Sequence, residues 1–170
     1  MRRKLVFYSF FILLFFLLQT TLLHYARVRG IIPNLLLVLT IVTALVRNSA
    51  EGGAVGFFSG LCIDMQFGSV LGFYALLGMY AGVAAGSVSK RIYRENVLVA
   101  VPFTFIYSIA YESVVFIINN IMSGDISFAF AFTKVILPEA VYNSAVSVLL
   151  FPLLAAAGKW FDTARTARNY

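Results

Sequence analysis

Three carboxylates fall inside apolar runs of this chain: Asp64 in GLCIDMQFG, Glu112 in IAYESVV and Glu139 in ILPEAV. A carboxyl group so placed can do acid–base work, pair with a cation or line a solute pocket. An ionisable residue inside a membrane span is a functional candidate by default, because an Asp at a helix centre costs about 2.5–3.5 kcal/mol to insert. Each acid also has a plainer reading. Asp64 suits a turn close to water. Glu139, beside Pro138, suits a first helical turn, where a carboxylate complements the helix dipole. Glu112 has no such reading and needs a protonated state, a hydrogen-bond donor or a cation such as Lys134, Arg27 or Arg29. No nucleophile elbow, phosphate loop, zinc motif or kinase signature accompanies the three. His24 falls at a helix end and suits an interfacial hydrogen bond. Cys62 is the only cysteine, which excludes a disulfide and suits a buried, inert thiol. The expectation is a chain with no catalytic role, no cofactor and no metal.

Around Asp64 the glycines are spaced mostly by four: Gly52, Gly56 and Gly60 before it, Gly68 and Gly72 after it, then Gly78, Gly82 and Gly86. On a helix that spacing makes a face without side chains. In lipid, where no hydrophobic drive brings helices together, such a face lets two backbones approach and gain van der Waals contact. Two uses follow: packing the protein's own bundle, or receiving a partner's helix on the Gly52, Gly56, Gly60 face or the Gly78, Gly82, Gly86 face.

The elements that position these residues are membrane helices. At 170 residues the chain is 61% hydrophobic and 12% charged, with a mean hydropathy of +0.91. Soluble domains run at about 45–50% apolar and 25% charged. An all-α, polytopic single domain with six spans is expected, near 5–23, 31–46, 52–65, 70–88, 97–121 and 138–158. Pro33 and Asn34 mark the start of the second, with Pro in its first turn. The third is short for a span of about 20 residues. Basic residues decide whether it crosses, because Lys and Arg collect in cytoplasmic loops. If it does, Arg2, Arg3, Lys4, Arg47, Lys90, Arg91, Arg94, Lys159, Arg165 and Arg168, ten of the 13 basic residues, share one side with both termini. The net charge of +6 thus reads as topology rather than nucleic-acid binding. The loop of Lys90, Arg91 and Arg94 reads as contacting anionic headgroups, at about 1 kcal/mol per basic residue. Residues 126–137 read as an interfacial lead-in, and Lys159 with Trp160 as a membrane-interface anchor.

Pro33 and Asn34, followed by Gly56, Phe57, Gly60, Leu61, Asp64, Gly68, Leu71 and Gly72, form a pattern that resembles the bacterial rod shape-determining MreD family. The match is a Pro-Asn start to the second helix, then G-F-x-x-G-L-x-x-D, then G-x-x-L-G and a small-residue helix. This resemblance implies a non-catalytic scaffold of the cell-elongation machinery in the bacterial inner membrane. Its implied partners are MreC, by a transmembrane helix, with MreB, RodA and a class B transpeptidase. The resemblance transfers no role to Glu112 or Glu139.

Six short, glycine-rich helices are also similar to the substrate-binding component of energy-coupling-factor transporters. There Asp64, Glu112 and Glu139 would line a solute pocket. Docking small residues are expected on the first helix of that family, yet LVFYSFFILLFFLLQTTLL is bulky throughout, with Ser9 the only small residue before Thr20.

Overall fold

The run after Asn34 folds into the helix around which the rest is packed. In the computed structural model, which describes residues 2–22, 30–67, 70–89, 97–123 and 127–166, it is α2, Leu35–Val46. Every residue from Leu35 to Leu45 is buried. A helix apolar on all faces has no solvent side to offer, so it belongs at a centre, and α2 touches each of the other helices. These are α1 (Arg2–Leu17, running into a π turn at Leu18–Leu22), α3 (Ser49–Phe67), α4 (Phe73–Ser89), α5 (Val97–Ser123) and α6. The last is one continuous rod made of Phe128–Ala131, a π turn Phe132–Ile136 and Leu137–Thr166. The described residues thus form an all-α fold of six helices. Among the described residues three stretches are long and apolar enough to cross a membrane: Lys4–Thr21, Val97–Ile121 and Phe128–Lys159.

Several boundaries differ from expectation, each for a local reason. The second helix starts at Leu35 rather than residue 31. Asn34 is its N-cap, its side-chain oxygen accepting from Leu37 N at 3.1 Å, so Pro33 stands before the helix instead of in its first turn. The third helix, expected from residue 52, already starts at Ser49. Asn48 and Glu51 form a reciprocal cap, Glu51 N donating to Asn48 Oδ1 at 2.9 Å and Asn48 Nδ2 donating to Glu51 Oε1 at 3.4 Å. With that extension α3 has 19 residues, or about 28 Å of helix, close to a span.

The sixth helix begins at Phe128, capped by Ser127, and not at Pro138. Pro138 lies inside the rod, directly after the π turn. Its missing N–H is absorbed where the hydrogen-bond register changes. The lead-in expected over 126–137 is therefore helix from 128 on.

α2, at 12 residues, is about 18 Å long, whereas α5, at 27 residues, is about 40 Å. The short central helix leaves its two ends, Asn34 and Arg47, within the length of the outer helices. Polar clusters gather at both.

Candidate functional site

The glycine-rich stretch forms a tight hairpin of α3 and α4, with both of its glycine faces turned inward. A Cβ on Gly78 would stand 2.5 Å from the Gly56 carbonyl oxygen, one on Gly82 at 2.5 Å from the Gly52 carbonyl carbon, one on Gly60 at 2.5 Å from Ala75 Cα, and one on Gly86 at 2.5 Å from Ser49 Cα. Gly52 also meets α2, its Cβ position lying 2.7 Å from Ala44 Cα. Backbone thus packs on backbone along the whole hairpin, and each glycine face is covered by its own chain.

Asp64 closes the hairpin. It is 2% exposed, and its carboxylate accepts from Gly72 N at 3.1 Å, Tyr74 N at 2.9 Å and Ala75 N at 3.0 Å. These are donors of the first turn of α4, which have no partner within their own helix, and a negative charge there complements the dipole. The expectation of a turn carboxylate close to water is corrected. Asp64 is buried, and what keeps it there is the helix end it caps. Gly72 adopts φ +97, the left-handed conformation glycine tolerates, at the turn before that helix. Leu71 is 77% exposed. Gly68 and the basic loop of Lys90, Arg91 and Arg94 lie outside the described residues, as do His24, Arg27 and Arg29.

At the Asn34 end of α2 the structure brings two of the acids together. Asn34 Nδ2 donates to Glu112 Oε1 at 3.3 Å, and the Glu139 carboxyl of α6 neighbours that of Glu112. Asn34 N donates to Asn143 Oδ1 at 2.7 Å, while Asn143 Nδ2 donates to Ser108 Oγ at 3.1 Å. The donor that Glu112 required is an asparagine of α2, not Lys134, which is exposed. Glu139 is not at a free helix end, because Leu137–Thr166 continues from the π turn without a break.

The four-residue spacings Ser108, Glu112 and Asn143, Glu139 set one antiparallel register between α5 and α6. One turn further along the same register come Thr104 and Ser147, both fully buried, and Thr104 Oγ1 makes no hydrogen bond among the described residues. This polar seam escaped sequence reading. The signal for it was the i, i+4 recurrence of Thr104, Ser108 and Glu112 on α5 and of Glu139, Asn143 and Ser147 on α6.

At the opposite end, Glu51 ties three elements. Lys4 Nζ reaches Glu51 Oε1 at 2.8 Å, Tyr8 OH donates to Oε2 at 2.8 Å, and Arg47 Nε donates to Oε2 at 3.3 Å. Arg47 Nη1 also donates to the Gly158 carbonyl at 3.2 Å, reaching α6. Burial opposes the charge on Glu51, but the hydrogen bonds from Lys4 and Tyr8 and the charges of Arg47 and Lys4 outweigh it and hold the carboxyl below its ordinary range. Cys62 is partly buried against the core rather than fully buried as expected. Among the described residues no group of three or more His, Cys, Asp or Glu could hold a metal ion.

A family model described as rod shape-determining protein MreD matches residues 1–157. The sensor protein LytS of Enterococcus faecalis (strain ATCC 700802 / V583) is 24% identical over 155 residues, which is 91% of this chain and 26% of that protein. The chain therefore spans about a quarter of that curated relative. No solved structure matches.

Proposed function

Because the chain belongs to the MreD family of rod shape-determining proteins, we propose that it is a non-catalytic scaffold of the cell-elongation complex in the bacterial inner membrane. Family membership implies a part in determining rod shape, and the match over residues 1–157 is the observation that carries the reading. In this reading the protein binds a transmembrane helix of MreC and helps position lateral-wall peptidoglycan synthesis, with MreB, RodA and a class B transpeptidase in the same assembly. Both termini and the loop of Lys90, Arg91 and Arg94 lie on the cytoplasmic side.

A chain whose surfaces are helix faces and short loops suits holding partners rather than converting a substrate. The glycine faces support this by fixing the hairpin: a partner on either face would have to part α3 from α4. The reading therefore puts the MreC helix on another, lipid-facing surface. Affinity purification of the tagged chain from gently solubilised host membranes, with co-purifying proteins identified by mass spectrometry, tests it. Recovery of MreC, with or without RodA and its transpeptidase, is the expected result. Recovery of a transport subunit with paired ATPases would replace this reading by that of a solute-binding component.

A further inference from the structure

α4 packs against α3 and α2, and it meets α5 where Asn119 Nδ2 donates to Tyr74 OH at 3.4 Å. Its opposite side carries Leu76, Tyr80, Val83, Ala84 and Ser87, all exposed. At 3.6 residues per turn these five fall within about 100° of the helix circumference. That is a strip wide enough for one more helix, and among the described residues nothing covers it.

Tyr80 does not suit a lipid-facing strip. It is 64% exposed, and its hydroxyl makes no hydrogen bond among the described residues. It lies seven residues after Phe73 and nine before Ser89, about 10 and 14 Å from the two ends of a helix that holds no charged residue. Gly82 meets Gly52 and Gly86 meets Ser49, so the cluster of Lys4, Arg47 and Glu51 lies toward the C-terminal end of α4. An aromatic side chain on a helix leans toward the preceding turn, here away from that charged boundary. With α4 crossing the bilayer, the phenol is held in the hydrocarbon layer, not in the aromatic belt at the membrane surface.

At that depth acyl chains offer a hydroxyl no acceptor, and leaving it unbonded is costly. A segment can enter the layer with its own backbone satisfied only as a helix or a closed barrel, so the missing acceptor has to arrive on another transmembrane helix. Ala84 and Ser87, one and two turns along, are small enough to let such a helix come close. A second copy of this chain fits less well. Two Tyr80 phenols meeting across a two-fold axis satisfy one hydroxyl hydrogen and leave the other free.

We propose that the face of α4 formed by Leu76, Tyr80, Val83, Ala84 and Ser87 receives one transmembrane helix of a partner protein, which accepts a hydrogen bond from the Tyr80 hydroxyl. This rests on the scaffold reading, in which the helix is that of MreC.

The test is site-directed photo-crosslinking of the full chain expressed with tagged MreC in host membranes. Benzoylphenylalanine replaces Tyr80, Ala84 or, as the control, Leu149, which is 75% exposed on α6. Adducts with the transmembrane helix of MreC, mapped by mass spectrometry, are expected from positions 80 and 84 and not from 149. In the unlabelled protein, Tyr80→Phe should lower recovery of MreC by roughly threefold, and Ala84→Leu should lower it further. The Tm of each purified variant should match that of the wild type, because both side chains are exposed.

Adducts between two copies of this chain, adducts with lipid alone, or MreC adducts from 149 but not from 80 and 84 would overturn the proposal. So would unchanged recovery of MreC in both variants. Each of these results leaves the scaffold reading in place, provided that MreC still co-purifies with the wild-type chain. Its absence from the wild-type preparation would end both.

Discussion

Gly56 and Gly78 meet backbone to backbone, so that a Cβ on Gly78 would stand 2.5 Å from the Gly56 carbonyl oxygen. Real Cβ atoms do not approach that closely, and the obstacle is main chain, which cannot rotate away. Overpacking a close contact costs about 1–3 kcal/mol even when side chains give. Gly78→Ala should therefore lower the Tm of the detergent-purified protein by several degrees, and Gly56→Leu combined with Gly60→Leu should prevent accumulation in the membrane altogether. Ala54→Leu, at an exposed position of the same helix, should leave both unchanged. Normal accumulation of the double leucine variant with loss of partner binding alone would mean that these faces are open in the cell.

Asp64 acts on the same hairpin from its tip. Replacing it by Ala strands three backbone donors at the start of α4, and hydrogen bonds to a charged group contribute about 1.5–3 kcal/mol each. Asp64→Asn keeps one acceptor oxygen but loses the charge. The expected order of Tm is wild type, then Asn, then Ala, with hydrogen exchange at Tyr74 and Ala75 accelerated most in the Ala variant. Equal stability of all three would show that water replaces the carboxylate without loss.

Near this hairpin the limits of the sequence are plain. Helix number, the Asn34 start and the glycine spacing follow from local pattern, because a face or a cap involves residues a few positions apart. Which face Gly56 meets, or which donor reaches Glu112, depends on contacts between Gly56 and Gly78 or Asn34 and Glu112 that local periodicity does not encode. The start of the sixth helix was misplaced for a related reason. Pro138 signals a first turn only when no π turn before it has already absorbed the missing N–H.

Glu51 gives the bundle a dependence on pH whose sign follows from its neighbours. Lys4, Tyr8 and Arg47 hold its carboxyl below the ordinary value of 4.5 in the folded protein, against the opposing effect of burial. The unfolded chain then takes up the proton first as pH falls, so the stabilisation is fully present above about pH 4.5 and is lost as pH drops through the lower folded value. Tm of the wild type should fall more steeply below that point than Tm of Glu51→Gln, which should be the less stable protein at pH 7. Parallel curves for the two proteins would remove Glu51 from the account.

Asn143 couples three helices through one side chain, and its removal should cost more than the bonds counted singly. Its Oδ1 satisfies the Asn34 N–H at the start of α2, and its Nδ2 reaches Ser108 on α5. The residue is fully buried, so truncation leaves the part-buried Asn34 N–H and the buried Ser108 hydroxyl without this partner, at about 1–3 kcal/mol for each unsatisfied buried group. Ser108→Ala, by contrast, deletes an acceptor and leaves Asn143 its bond to Asn34. Asn143→Ala should therefore lower Tm clearly more than Ser108→Ala does. The double variant should fall short of the sum of the two, because the 143–108 bond is counted in both. Strict additivity would mean that the seam between α5 and α6 is a row of independent polar residues and not a connected network.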